Sequence, residues 1–187
     1  MYEIRIRYVE NPIDKLKELY NAKDITKFSF YDEYFFPQNQ NSFWNDGKYT
    51  LRLRNQNNTK KMYFTKYEKI QANGITLIKN IYTEKKEVLK NELNVINDFV
   101  EALDLQKIAT INRISGYVFQ INFTKKIDIN ITLEYIENYG FSSEIEIKNL
   151  DEITLDFVEQ LNTFCKILNA TLLDTCLLVE YLKNKKT

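Results

Sequence analysis

The N-terminal stretch MYEIRIRYVE (residues 1–10) places a charged side chain at every second position, with an apolar residue between each pair. Successive side chains of a β-strand point to opposite faces, so Glu3, Arg5 and Arg7 are predicted to share one face. The stretch NYGFSSEIEIK (residues 138–148) repeats this pattern near the other end of the chain. These two strands therefore raise the question of whether their charges face bulk water or line an enclosed space.

The chain has 187 residues, and 44% of them are hydrophobic, with 13 Tyr and 12 Phe, which is typical of a packed globular protein. This length favours one domain over residues 1–187. The 26 basic and 26 acidic residues balance, so no overall field is expected to recruit nucleic acid or an anionic membrane. No apolar run approaches the roughly 20 residues that span a bilayer.

The sequence contains no histidine. Catalysis by Ser-His-Asp or Cys-His groups and zinc sites built on imidazole are therefore excluded. The remaining carboxylate, Lys, Arg, Tyr and hydroxyl groups suit phosphate chemistry with Mg²⁺ or Mn²⁺ better than acyl transfer. Cys165 and Cys176 match no metal-ligand spacing and are predicted to be buried free thiols in a cytoplasmic protein.

The predicted strands come in runs that are interrupted by single helices. Asn11 and Pro12 predict the start of a first helix, as N-cap and first helical residue. Apolar spacing predicts further helices at 89–104 and 152–168, and a short one at 171–184. About eight short strands are predicted after the first strand, at 27–36, 48–55, 60–68, 76–88, 108–114, 117–124, 127–136 and 142–148. Because the strands come in runs, we expect an α+β fold with a mainly antiparallel sheet or barrel and helices packed outside.

Several of these strands carry charges of both signs on one face. Arg52 and Arg54 share a face in the strand TLRLRN, and Glu84 and Lys86 share one in IYTEKKE. An open sheet with one wet face explains this pattern, and so does a closed barrel with an inward charged face. The barrel would need a polyanion and a divalent cation to compensate the enclosed charges. The alternation alone leaves both interpretations open.

Seven short motifs follow one another in a fixed order: Glu3-Ile-Arg5-Ile-Arg7, Asp32-Glu33-Tyr34-Phe35, Leu51-Arg52-Leu53-Arg54, Phe64-Thr65-Lys66, the acidic strand Tyr82–Glu87, Arg113, and the block from Glu134 to Glu146. In this order they resemble the CYTH superfamily, the triphosphate tunnel metalloenzymes, over nearly the whole chain. The stretch from Asp32 through Pro37 and Phe43 to Arg54 is most similar to the class IV adenylyl cyclase branch. The resemblance implies a closed, antiparallel, eight-stranded β-barrel that binds a triphosphate with Mg²⁺ or Mn²⁺.

The resemblance also implies roles for individual residues. Glu134 and Arg113 would be catalytic, and a divalent ion would be held by Glu3, Glu144 and Glu146. The substrate would be bound by Arg5, Arg7, Arg52, Arg54, Lys66, Glu84 and Arg113. The opening motif departs from the family pattern E-x-E-x-K, because Arg5 replaces its second glutamate and Arg7 its lysine. Arg5 is therefore expected either to form a salt bridge with Glu144 or Glu146 or to bind phosphate itself.

Two enzymatic functions and one alternative follow from the resemblance. A cyclase would let the ribose 3′-hydroxyl attack the α-phosphorus of ATP, and a triphosphatase would direct water to the γ-phosphorus. The alternative is a non-catalytic nucleotide- or polyphosphate-binding protein with a degenerate metal site. The expected partner is a nucleoside triphosphate or another triphosphate, with no membrane or nucleic acid, and a homodimer is left open.

Overall fold

The computed structural model describes residues 2–37, 49–88, 93–124, 127–147 and 150–185. Within these ranges the strands are β1 (Tyr2–Tyr8), β2 (Lys23–Pro37), β3 (Tyr49–Gln56), β4 (Thr59–Ala72), β5 (Ile75–Val88), β6 (Leu105–Thr124), β7 (Ile127–Ile136), β8 (Gly140–Ile147) and β9 (Ala170–Leu173). The helices are α1 (Ile13–Tyr20), α2 (Leu93–Ala102), α3 (Leu155–Ile167) and α4 (Leu177–Asn184), and a 3₁₀ turn spans Leu150–Glu152. None of the described helices is long and apolar enough to cross a membrane.

Eight of the strands close into an antiparallel barrel. The hydrogen-bonded order is β5-β4-β3-β2-β6-β7-β8-β1, and β1 returns to β5 through the pairs Tyr2↔Lys79 and Glu3↔Ile78. The rest of the same edge of β1 pairs with β9, from Arg5 to Tyr8. The predicted α+β fold with a closed, antiparallel, eight-stranded barrel is therefore confirmed, and β9 is an addition outside the ring.

Tight hairpins connect β3, β4 and β5. Asn57 and Asn58 have φ of 50° and 62°, and Asn73 and Gly74 have φ of 46° and 84°. Two consecutive left-handed residues match the right-handed twist of antiparallel strands, and Asn and Gly tolerate that conformation best. These two-residue connections hold the three strands in register.

The outer face of the barrel carries the larger apolar core. Side chains that alternate with the charged ones on β1 and β8, such as Ile4, Ile6 and Ile145, are almost fully buried. They belong to the same cluster as Phe157, Leu161 and Phe164 of α3, together with Leu16 of α1. The apolar spacing that predicted the third helix thus gives the face that covers the barrel.

A second apolar cluster lies on the inner face, at one end of the barrel. Ile136 follows Glu134 by two residues, Ile111 precedes Arg113 by two, and both are fully buried. They pack in one cluster with Leu178 of α4 and with the other members Tyr34, Ala109, Tyr139, Cys176, Leu177 and Tyr181. Because strand residues two apart share a face, α4 closes one end of the lumen with apolar side chains.

Several predicted element boundaries change. The tail 171–184 is a strand followed by a helix, because Ala170–Leu173 finds an unpaired edge of β1, which local spacing does not reveal. The strands predicted at 108–114 and 117–124 are one strand, β6, with an irregularity between Arg113 and Ser115. α1 begins at Ile13 rather than Pro12, and the Asn11 side chain accepts a hydrogen bond from the Ile13 N–H. Residues 89–92 of the predicted second helix and Lys148 of the last predicted strand lie outside the described residues.

Candidate anion-binding cavity in the barrel lumen

A cavity of about 500 Å³ occupies the lumen beside the apolar cluster that α4 closes. Its lining belongs to the inward faces of most barrel strands, so the face shared by Glu3 and Arg5 and the face shared by Arg52 and Arg54 line an enclosed space. Among the described residues that line it, the basic ones are Arg5, Lys27, Arg52, Arg54 and Arg113, the acidic ones are Glu3, Glu134 and Glu144, and the aromatic ones are Phe28, Phe30, Tyr63 and Tyr67. Basic side chains therefore outnumber acidic ones on the wall.

Asp32 of β2 organises three of the arginines. Its carboxylate is fully buried and accepts hydrogen bonds from Arg54 Nε at 2.8 Å and Arg54 Nη2 at 2.9 Å. Arg113 Nη1 lies 3.1 Å from Asp32 Oδ2, and Arg52 Nη1 lies 3.5 Å from the same oxygen. Burial alone would raise the pKa of Asp32, but Arg113, Arg54 and Arg52 outweigh burial and lower it. Asp32 is therefore the anionic centre around which the guanidinium groups converge.

Arg113 of β6 joins this cluster to Glu134 of β7. Its Nε donates to Glu134 Oε1 at 2.8 Å, and only 3% of the Arg113 side chain is exposed. Burial opposes the charged form, yet Glu134, Tyr34 and Asp32 raise the pKa of Arg113 above its ordinary value. Both predicted catalytic residues thus lie on the cavity wall in direct contact with each other.

Aromatic rings hold the arginines of β3 in place. The guanidinium carbon of Arg54 lies 3.7 Å from the centre of the Phe30 ring, and that of Arg52 lies 4.9 Å from the Tyr63 ring. Tyr63 stands opposite Arg52 in the β3–β4 ladder. Such stacking fixes the guanidinium plane and leaves its edge for hydrogen bonding.

Two guanidinium donors of the cavity have no hydrogen-bond partner in the part of the chain that the structure describes. Arg52 Nε and Arg5 Nε are buried and make no hydrogen bond among the described residues. A buried donor without an acceptor costs about 1–3 kcal/mol, and folded proteins leave few of them. Since both arginines line the same cavity, these donors indicate that it is built to receive an acceptor-rich ligand.

Arg5 lies between two carboxylates. Its Nη2 is 2.5 Å from Glu144 Oε2, its partner across the β1–β8 ladder, and 3.2 Å from Glu3 Oε2. Burial raises the pKa of Glu144 to about 8; the nearby Glu3 and Glu134 also raise it, while Arg5 opposes the shift. The salt bridge to Glu144 is one of the two outcomes expected for Arg5.

The predicted metal ligands do not fit a divalent ion in this arrangement. Mg²⁺ and Mn²⁺ require several oxygen ligands around one point. Glu3 and Glu144 are joined by the Arg5 guanidinium, and Glu146 is exposed and outside the cavity lining. No group of three or more Asp, Glu, Cys or His side chains within the described ranges is arranged to hold a metal ion. The use of Mg²⁺ or Mn²⁺ therefore stays a prediction to be tested in solution.

Seven of the predicted site residues come together in the cavity, namely Glu3, Arg5, Arg52, Arg54, Arg113, Glu134 and Glu144. Lys66 and Glu84 do not line it; their neighbours Thr65 and Thr83 do, and alternation turns the predicted residues to the other face. Arg7 lies at the closed end, where its Nη2 donates to Tyr139 O at 3.3 Å and Asn184 Oδ1 at 3.1 Å. Glu146 stands opposite Glu3 in the β1–β8 ladder, yet it too lies outside the lining.

Sequence reasoning gave too little weight to some of the residues that shape the cavity. Asp32 is not among the residues for which the resemblance implies a role, yet the register Asp32↔Arg54 places it directly beside the arginine strand. Tyr63 and Tyr67 were not predicted, because Lys66 was assigned to the inward face of β4 and Thr65 lies there instead. The signal that could have found them is the tyrosine on either side of a central threonine, at period two.

Comparisons with known proteins identify similar folds. No family model matches the chain, and no curated protein matches it. A solved protein from Pyrococcus horikoshii OT3 aligns with a TM-score of 0.63 and 18% identity, covering 97% of this chain and 98% of that chain. An adenylate cyclase candidate from Bacillus halodurans aligns with a TM-score of 0.51 and 16% identity, covering 87% of this chain and 89% of that chain. An adenylyl cyclase candidate from Hippeastrum, described as having a dominant triphosphatase activity, aligns with a TM-score of 0.51 and 12% identity, covering 90% and 87%. At these identities the likeness establishes the fold.

Proposed function

We propose that this protein binds the phosphate chain of a nucleoside triphosphate or another triphosphate in the barrel lumen and acts on it as a triphosphate-processing enzyme. The observation that carries the proposal is Arg52, which lines the cavity beside Arg54 and Arg113 and whose buried Nε has no hydrogen-bond partner among the described residues. Phosphate oxygens are the acceptors that guanidinium groups bind best, often through two parallel hydrogen bonds.

The dimensions and charge of the cavity support a phosphate chain as the ligand. Small-molecule sites commonly enclose about 300–1,000 Å³, and this cavity has about 500 Å³. The excess of basic side chains on its wall favours an anion, and the aromatic side chains Phe28 and Phe30 give it an apolar part. A compact polyanion with an organic portion matches both features.

The wall also holds groups that suit phosphoryl chemistry. Phosphoryl transfer is catalysed mainly by positioning the chain and neutralising its charge, which the arginines around Asp32 are placed to do. Glu134, bonded to Arg113, and Glu144, whose pKa is raised by burial, are the carboxyl groups of the wall that we propose to accept or donate a proton. The solved proteins of similar fold support the two reactions considered, cyclisation to cyclic AMP and hydrolysis of the triphosphate.

A second candidate function is binding without turnover. The contacts of Arg5 with Glu3 and Glu144 favour binding without turnover. Catalysis with a metal would require these carboxylates as metal ligands, and here they bind the Arg5 guanidinium instead. This alternative keeps the same ligand and the same cavity.

One experiment separates these functions. The purified protein is incubated with ATP and, separately, with inorganic tripolyphosphate, each with Mg²⁺, with Mn²⁺ and with EDTA, and the products are identified by chromatography. Cyclic AMP with pyrophosphate indicates a cyclase, ADP or pyrophosphate with orthophosphate indicates a triphosphatase, and binding without products indicates the second candidate.

Paired variants tie the result to the cavity. We expect Arg52→Gln to weaken tripolyphosphate binding about 10- to 100-fold, since hydrogen bonds to charged groups contribute about 1.5–3 kcal/mol. Lys107→Gln removes an exposed cation that is bonded to Glu33 and does not line the cavity, and it should bind as the wild type does. If the two variants weaken binding equally, or if the wild type binds neither compound, the proposed function is wrong.

A further inference from the structure

The feature that the proposed function leaves unexplained is the guanidinium of Arg5. Its Nη2 contacts two carboxylates of the cavity wall, Glu144 at 2.5 Å and Glu3 at 3.2 Å. A divalent ion in a phosphate site also bridges wall carboxylates to the bound phosphate chain. Arg5 therefore already supplies the positive charge that contacts both carboxylates, which such an ion would otherwise supply.

Arg5 also retains a donor for a ligand. Its Nε is buried without a hydrogen-bond partner among the described residues, while Nη2 is used by the carboxylates. A guanidinium has five N–H donors in a rigid fork, so Nη2 can hold the carboxylates while the neighbouring Nε–H donates to an anion. The side chain can thus link the acidic wall to a phosphate in one fixed geometry.

The charge of the lining points the same way. With arginine at position 5, five basic side chains face three acidic ones among the described lining residues. A glutamate there would remove this excess of positive charge, and a triphosphate would then need an added cation to enter. The Arg5 side chain supplies this positive charge as part of the protein itself.

From this geometry we infer that Arg5 is a built-in cation, and that the lumen binds a triphosphate without any divalent metal. The inference rests on the proposed function, because it concerns the same cavity and the same ligand. It adds that the uncomplexed polyanion, rather than its magnesium complex, is the species bound.

The test is calorimetric titration of the protein with inorganic tripolyphosphate, in EDTA and in excess Mg²⁺. We expect binding in EDTA at least as tight as in Mg²⁺, because magnesium competes with the arginines for the phosphate oxygens. Binding that occurs in Mg²⁺ but not in EDTA overturns the inference and leaves the proposed function standing. Absence of binding under both conditions refutes the proposed function, and the inference with it.

Variants of Arg5 give a second readout that does not depend on activity. Arg5→Gln should weaken binding in EDTA about 10- to 100-fold, the effect of losing a charged hydrogen-bond donor, with no recovery in Mg²⁺. Arg5→Glu should also lose binding in EDTA, and should recover it in Mg²⁺ together with a titratable magnesium site. Lys15→Gln, which removes an exposed cation paired with Glu10 away from the cavity, is the matched control.

Unchanged affinity in Arg5→Gln would show that Arg5 only neutralises its two carboxylates, and would overturn the inference. If Arg5→Glu does not fold, the wild-type comparison and Arg5→Gln still decide the question.

Discussion

Replacing Asp32 by asparagine removes the charge on which three buried or half-buried arginines converge. Asp32 is fully buried, and its oxygens accept from Arg54 at 2.8 and 2.9 Å while lying 3.1 Å from Arg113 and 3.5 Å from Arg52. Breaking a buried ion pair by removing one partner costs about 3–5 kcal/mol, because the remaining charge stays uncompensated. Asparagine keeps the shape and one acceptor oxygen, so we expect Asp32→Asn to lower the free energy of unfolding by about 3 kcal/mol.

The assay is urea unfolding at pH 7, repeated at decreasing pH. The folded-state pKa of Asp32 is lowered, so its stabilising contribution is present above the unfolded pKa of about 3.9 and is lost as the pH falls through the folded value. The difference in free energy of unfolding between wild type and Asp32→Asn should therefore be constant from pH 7 to about pH 5 and shrink below about pH 4. Asp151→Asn, at an exposed position in the 3₁₀ turn, controls for the loss of one carboxylate. A difference under about 1 kcal/mol at pH 7, or one that does not change with pH, would contradict the role of Asp32 as the centre of the cluster.

Three further predictions test the packing of the barrel and of its helices. Gly116→Ala would place a methyl group 2.0 Å from the Phe28 ring, so we expect a loss of about 1–3 kcal/mol in urea unfolding, and no loss would contradict this close approach. Leu178→Ala, which truncates a residue that is 2% exposed where α4 closes the barrel, should cost about 2–5 kcal/mol, and a cost near zero would show that α4 does not pack there. Burial raises the pKa of Cys165 to about 11 and also raises the pKa of Cys176. Both thiols should therefore react with a thiol reagent at pH 7.5 only after unfolding, and rapid reaction of the native protein would contradict their burial.

Which side chains of a strand share a face could be predicted because alternation is a local property of the sequence, whereas the closed barrel followed only from the resemblance of the ordered motifs. Glu3 with Arg5 and Arg52 with Arg54 are separated by one apolar residue each, and a strand must turn both members of a pair to the same side. Ile4, between Glu3 and Arg5, faces the opposite side and packs in one cluster with the apolar side chains of α3. In a closed barrel whose apolar side chains face the helices, the charged side chains of the same strands point into the lumen.

The inward residues of β4 and β5 could not be predicted, because both strands carry polar side chains on both faces. Lys66 and Thr65 are adjacent and both polar, so hydrophobicity does not decide which of them faces inward. A register shift between Lys66 and Tyr67 displaces the pairing again. Which of the two residues faces inward depends on the tertiary packing of the whole barrel. The strand Ala170–Leu173 depends on tertiary packing as well, because its partner β1 lies at the other end of the sequence.

The shared edge of β1 has a consequence for the order in which the chain acquires structure. During synthesis β1 leaves the ribosome before any of its partners, since β5 begins at Ile75, β8 at Gly140 and β9 at Ala170. Such distant pairing is slow to form and leaves a strand exposed meanwhile. Charged side chains on a waiting strand prevent it from pairing with other chains. The alternating charges of residues 3–7 are therefore expected to protect the nascent chain from aggregation before they line the finished cavity.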